Sequence, residues 1–378
     1  MKRLVPIIAV LLAAIACRER PVPERDTIPY VKQLASDSTG VFGLVRDYRT
    51  AGTRGSIALI GEPDDCLLLA AEFLSVDDAD NIDGKPSQDR LPDFAGETFD
   101  VLMDAYDAPY LRMAGASPDS LREAAVRCAV MAVDTVSCVN AYDTQTRLPK
   151  RKAKVLVLAS SLLADCGQFD IDTLFKMAGR EPLVISPVES MLDQALRSGR
   201  KHVVVWAPAE ARNVYLSVVA ERTPGLDLTV LSPGGGDVRS AFRELLRQYR
   251  NVKPNTPLDA VLLDSFSADE DELMAELTHI RRQITEEDLS FDRILVPGFR
   301  FIEPKSSLTS ACYRLLREKN LFTHDIAYPS ARYYQTEEGI DGESVLVEVS
   351  PEYIDIQRQV REQRHLTEED LVYVPDHD

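Results

Sequence analysis

From residue 155 onward, short apolar runs rich in β-branched residues alternate with longer runs whose apolar positions recur every three to four residues. The strand-like runs are VLVLASS at 155–161, PLVISP at 182–187, HVVVWAP at 202–208, LDLTVLSP at 226–233, LDAVLLDSF at 258–266 and FDRILVPGF at 291–299. Helical patterns such as VESMLDQALRSG, AEARNVYLSVVAER, DVRSAFRELLRQYR and DEDELMAELTHIRRQI separate them. Such alternation predicts βαβ units around parallel sheets. Asp237 and Asp269 to Asp271 stand where helices open, and Gly199 stands where one ends. Earlier in the chain, SIALIG at 56–61 and FDVLMDAY at 99–106 predict two more strands, and Ser117-Pro118 opens a helix over 117–134.

The segments between these elements are polar. Residues 77–97, DDADNIDGKPSQDRLPDFAGE, form an inserted loop far longer than an ordinary connection, and 140–154 reads as a polar connection. ESVLVEVSPEYI reads as a strand and turn leading into a charged helix from about residue 352. ITEEDL at 284–289 and LTEEDL at 366–371 repeat because threonine followed by acids starts a helix in both places. The expected fold class is α/β, with two doubly wound parallel-sheet, Rossmann-like lobes. The N-terminal lobe is placed at 31–200, the C-terminal lobe at 201–330, and a return strand with a C-terminal helix at 331–378.

The N-terminus adds a location. Met1-Lys2-Arg3 is basic, and LVPIIAVLLAAIA at 4–16 is apolar but short for a membrane span. With Ala14-Ile15-Ala16 directly before Cys17, this segment resembles a bacterial lipoprotein signal. The resemblance implies a signal peptide over 1–16, cleavage before Cys17, diacylglyceryl attachment to that cysteine, and an extracytoplasmic, lipid-anchored protein of the cell envelope. Residues 17–30 read as its proline-bearing tether. Loss of Lys2 and Arg3 lowers the formal charge by two, from −18 to −20. With 61 acidic against 43 basic side chains and no basic cluster, nucleic acid is excluded as a partner, and neutral or cationic ligands are favoured. The five remaining cysteines, Cys66, Cys128, Cys138, Cys166 and Cys312, form no CxxC pair, and the five histidines have no ligand spacing; no metal or cofactor is expected. An oxidising compartment permits one or two disulfides among them.

Doubly wound sheets bind ligands beyond the carboxyl ends of their strands. The residues there are Glu62, Asp64 and Asp65; Asp104, Tyr106 and Asp107; Ser160 and Ser161; Ser186 and Glu189; Trp206 and Glu210; Ser232; Asp264, Ser265 and Phe266; Phe299 and Arg300. Residues 201–300 resemble one lobe of the type I periplasmic-binding-protein fold, with Gly298-Phe299 matching the pair that often ends the last strand before the hinge. This resemblance implies two lobes joined by hinge strands and closing on a small ligand. The selected ligand-binding residues are Asp64, Asp104, Tyr106, Trp206, Asp264, Phe266 and Arg300: aromatic rings to stack, carboxylates to accept and an arginine to donate. The leading function is capture of a small polar ligand, a sugar, nucleoside or amino-acid-like molecule, with a transporter or envelope protein as the macromolecular partner.

Two alternatives share this framework. Asp64 is placed to cap a helix carrying Cys66 in its first turn, where the helix dipole promotes the thiolate and Asp64 and Asp65 oppose it. Aspartate/glutamate racemases also have two α/β lobes and place a cysteine near a strand end in each. Here the second-lobe strand ends in Asp264-Ser265-Phe266, so Cys66 reads as a small buried residue. A racemase-like or hydrolase-like enzyme, the latter with Ser160 or Ser161 as nucleophile, is one alternative. An envelope interaction module with a degenerate cleft is the other.

Overall fold

Strands β1 (Ser56–Gly61), β2 (Thr98–Met103) and β5 (Ala153–Leu158) are buried along their whole length, so both faces of their sheet need cover. The structure, a computed structural model, describes residues 25–37, 40–49, 51–81, 84–223, 225–234, 236–325, 327–356 and 359. The signal peptide, Cys17, most of the tether, the second threonine-acid repeat and, residue 359 apart, the C-terminal helix beyond residue 356 lie outside the described residues. The other strands are β3 (Val136–Asn140), β4 (Asp143–Pro149), β6 (Val184–Ile185), β7 (His202–Trp206), β8 (Asp227–Leu231), β9 (Leu258–Leu263), β10 (Leu295–Ile302), β11 (Ser330–Glu338) and β12 (Ser344–Val349). The helices are α1 (Pro29–Ser36), α2 (Val41–Asp47), α3 (Pro63–Ser75), α4 (Tyr110–Ala116), α5 (Pro118–Val133), α6 (Cys166–Met177), α7 (Pro187–Arg197), α8 (Arg212–Arg222), α9 (Val238–Val252), α10 (Glu270–Arg281), α11 (Glu286–Asp292) and α12 (Pro304–Glu318).

Two sheets result, confirming a mixed α/β, Rossmann-like build. The first has the order β4-β3-β12-β11-β2-β1-β5-β6, and the second β10-β9-β7-β8. Alternate side chains of each strand enter opposite cores. Ile57 and Leu59 pack with Cys66, Leu69 and Phe73 of α3 and with Leu308 and Leu316 of α12. Ala58 and Ile60 face α1, α2, α5 and α6. In the second sheet, Val203 and Val205 pack on α7 and α8, while Val204 packs on α9, α10 and α11.

Within the first sheet, β2-β1-β5-β6 are parallel neighbours in the order second, first, third, fourth. The second sheet repeats that order as β8-β7-β9-β10. The same backbone bond recurs at the carboxyl end of each repeat: Ala159 N–H donates to Ile60 C=O at 2.6 Å, and Asp264 N–H donates to Trp206 C=O at 2.9 Å. This internal duplication is topological and leaves little trace in residue identity.

Several expectations require correction. Residues 140–154 are not a plain connection: β3 and β4 form an antiparallel hairpin joined to β12. No residue of β4 is buried, so it lacks an apolar signature. Phe291 and Asp292 end α11, and Gly298-Phe299 lies inside β10 rather than at its end. The hinge strands implied by the binding-protein resemblance are replaced by two strand-to-helix crossings, at Ser186-Pro187 into α7 and at Glu303-Pro304 into α12. α7 packs on the second sheet, whereas α12 returns to the first, so the bodies exchange chain at about 186 and 303 rather than at 200 and 330.

The 77–97 loop joins the end of α3 to the start of β2, which puts it at the amino edge of the sheet, away from strand carboxyl ends. Its own carboxylates fold it. Asp93 accepts from the backbone of Asp78 and Ala79, and Asp77 accepts from that of Asp89 and Arg90. Phe94 is fully buried.

Candidate functional site

In an open sheet the crevice lies where successive strands are laid down on opposite sides of the first, here between β1 and β5 and between β7 and β9. In the first body this switch point carries Glu62 to Cys66 after β1 and Ser160-Ser161 after β5. In the second it carries Trp206 to Pro208 after β7 and Asp264-Ser265 after β9. The two switch points meet, because Ser161 Oγ donates to Asp264 Oδ2 at 2.7 Å.

Asp264 is half-buried and lines the cavity at this junction. Burial pushes its pKa up to about 6, against the Ser161 hydrogen bond and the Tyr215 hydroxyl, which both favour the charged form. Tyr215, on α8, is fully buried, and its hydroxyl lies beside Asp264 without a hydrogen bond of normal geometry. Asp65 is partly buried in the first turn of α3. Burial pushes its pKa up to about 7, reinforced by the charges of Glu62, Asp64 and, across the cleft, Asp264. Glu62 is raised too, mainly by burial and against the hydrogen bond its Oε1 accepts from Tyr110 N–H at 3.0 Å.

The second-body side of this junction holds a cavity of about 380 Å³. Trp206, Ala207, Pro208, Ser232, Val238, Leu263, Asp264 and Leu273 are among its lining. Carboxylate, hydroxyl and indole thus meet on apolar walls, a setting that can bind a polar molecule or hold a proton poised for transfer. Among the described residues no group of three or more histidines, cysteines or carboxylates could hold a metal ion. Also among them, no helix is long and apolar enough to cross a membrane.

No family model matches this sequence, and no curated protein matches it. Several solved structures align with it at low identity. Glutamate racemase from Francisella tularensis, solved with D-glutamate, aligns with a TM-score of 0.47 and 16% identity over 77% of this chain and 91% of its own. A glutamate racemase isoform from Bacillus anthracis gives 0.48 and 13% over 75% and 90%. An aspartate racemase homologue from Pyrococcus horikoshii gives 0.37 and 12% over 70% and 99%.

The structure brings Trp206 and Asp264 together and separates the other selected residues. Asp64 is exposed in the first turn of α3, and the cap position belongs to Glu62, because Pro63 already starts the helix. Asp104 is fully enclosed, accepting from Tyr110 Oη at 2.8 Å and Thr336 Oγ1 at 2.7 Å, so it braces the first body instead of meeting a ligand. Tyr106 is 39% exposed and donates to Gly342 C=O at 3.2 Å. Phe266 is 5% exposed and inserts from the second body into the core of the first, where it cannot stack on a ligand. Arg300 is exposed on β10 in register with Ala260, four residues before Asp264 and short of the rim. Ser186 caps α7, and Glu189 pairs with Arg222 at 2.8 Å.

The thiols stand apart. Cys66 is fully buried, its S–H directed at Leu59 and Leu102 carbonyls, and burial raises its pKa well above the ordinary value, with Asp65, Asp104 and Glu62 adding to it. Cys128 and Cys138 lie on α5 and β3, and all five described cysteines are free, so none forms the disulfides that an oxidising compartment permits. By topology the counterpart of Asp264-Ser265-Phe266 is Ala159-Ser160-Ser161, not the segment holding Cys66. Asp65 and Ser161 stand among the strand-end candidates of the sequence, Ser161 also as a possible hydrolase nucleophile, but outside the seven residues selected for ligand binding, and nothing in the sequence singles out Tyr215. The repeated end of the third strand, where four apolar residues are followed by one variable residue and serine, Val155 to Ser160 and Ala260 to Ser265, aligns the segment of Ser161 with that of Asp264; no such repeat marks Asp65.

Proposed function

We propose that this protein is a lipid-anchored, extracytoplasmic enzyme that transfers a proton on a small amino-acid-like substrate, with Asp65 and Asp264 in the roles that a racemase-like reading gives to thiols. The observation supporting it most strongly is two carboxyls, one from each facing switch point, whose pKa values are pushed up to about 7 and about 6. Near neutral pH the lower one is the base and the higher one the acid, which is the division of labour that acid–base catalysis needs. Asp264, held by Ser161 through Oδ2, takes the proton from the substrate carbon; the C–H electron pair stays on the substrate, and Asp65 returns a proton to it. Ser161 acts as a positioning residue. Attachment through Cys17 keeps the enzyme at the envelope.

The full chain, incubated with amino acids in deuterium oxide, is expected to incorporate deuterium at the α-carbon. Asp65→Asn and Asp264→Asn each abolish incorporation while retaining the circular dichroism spectrum. Full activity in both variants refutes the assignment. The cavity beside Trp206 favours one second reading, capture without turnover, in which a ligand raises the melting temperature and no deuterium enters.

A further inference from the structure

The residues whose charges act on Asp65 are all acids: Glu62, Asp64 and Asp264. Two arginines near the strand ends are held by acids of the fold, Arg127 by Asp107 and Arg25 by Asp165 and Glu221. A ligand arriving with net negative charge therefore meets like charges with no basic group in the cavity lining to offset them. The cavity itself offers the opposite chemistry. Its lining pairs the carboxyl of Asp264 with the indole of Trp206 and is otherwise largely apolar, through Pro208, Val238, Leu263 and Leu273. Beside Asp264 sits the fully buried Tyr215 hydroxyl, which lacks a hydrogen bond of normal geometry.

The geometry points to an organic ammonium ion as the group recognised here, carried by a diamine or a basic amino acid, with its alkylammonium end held between Trp206 and Asp264. An ammonium satisfies the carboxylate with a charge-assisted hydrogen bond and the indole face with a cation–π contact. Its methylene chain suits the apolar wall, which neither a sugar nor a dicarboxylic amino acid would use as well. The assignment rests on the cleft proposed for proton transfer and deepens it by naming the ligand class, but binding and turnover are measured separately.

Trp206 is the single tryptophan of the chain, so its emission reports the site without any label. The full chain is titrated at pH 7.5 with cadaverine, L-lysine and L-glutamate, and with potassium chloride at matched ionic strength. A saturable emission change with cadaverine or lysine, at least tenfold tighter than any with glutamate, is expected, and potassium chloride leaves the emission unchanged. By calorimetry, Trp206→Leu weakens cadaverine about tenfold and Trp206→Phe about threefold or less, since the leucine keeps apolar volume and the phenylalanine keeps a ring. A folding failure in one variant leaves the other, and the unmodified chain's emission, as readouts. Glutamate binding as tightly as lysine overturns the inference, as does a cadaverine affinity untouched by Trp206→Leu. Amine binding without deuterium incorporation supports the inference and refutes the proton transfer. Deuterium incorporation into glutamate with no emission response to any amine does the reverse.

Discussion

Asp65→Asn removes a carboxyl that the fold holds at a cost, and the cost depends on pH. The Asp65 pKa is pushed from 3.8 up to about 7, so the folded chain binds this proton more tightly than the unfolded chain does. Stability from this group is fully present below about pH 4, is lost as pH rises towards 7, and stays level above it. The gap, at about 1.4 kcal/mol per pH unit, sets a ceiling of about 4 kcal/mol. Remaining contact with water reduces this to about 2 kcal/mol, and loss of a negative charge near the positive end of α3 subtracts about 0.5 kcal/mol. Urea denaturation at pH 5 and pH 8 measures the effect. The asparagine variant is expected to gain about 1–2 kcal/mol on the parent between the two pH values, while losing activity, as stabilising changes at catalytic carboxyls often do. A difference between variant and parent that is the same at both pH values refutes the raised pKa and, with it, the acid role of Asp65.

Other predictions test the remaining framework. Cys66→Ser leaves any activity intact and costs about 1–3 kcal/mol, because a hydroxyl replaces a buried thiol whose carbonyl neighbours lie at 3.6 Å and beyond; abolished turnover in a folded variant would overturn the thiol-free site. Phe266→Ala leaves a void in the core of the first body and should cost about 3–5 kcal/mol in the urea midpoint, so an unchanged midpoint would mean that this ring is not the interbody contact described. Lys154 and Glu97 form a fully buried pair at 2.7 Å, and Lys154→Met strands the carboxylate at a cost of about 3–5 kcal/mol at pH 7. Adding Glu97→Gln should recover much of that loss; a double variant no more stable than the single one would contradict the pairing.

The alternation of apolar strands with amphipathic helices was legible because a strand buried on both faces must be apolar throughout, as β1, β5 and β9 nearly are. Capping was local and therefore also legible: Asp237, Asp269 and Thr285 each accept the backbone hydrogen bond their position predicts. β4 and β11 were not, since most of their side chains reach solvent and pairing with a neighbouring strand, not composition, makes them strands. Five of the seven selected site residues lie away from the cavity, two of them for a related reason. Phe266 and Asp104 sit at strand ends, but only packing from other elements determines whether a strand-end side chain is open or covered.

By itself the sequence determined the parallel α/β layering, the helix starts and the acidity, because each follows from periodicity, neighbouring residues or a simple sum of charges. Tertiary structure alone decided that the same strand order occurs twice, that Cys66 is sealed in a core, and that Ser161 reaches Asp264 across 103 positions of chain. Proton affinity belongs to that second category: Asp65 and Asp264 look like any other aspartates until burial and facing charges, assembled from distant segments, raise their pKa values.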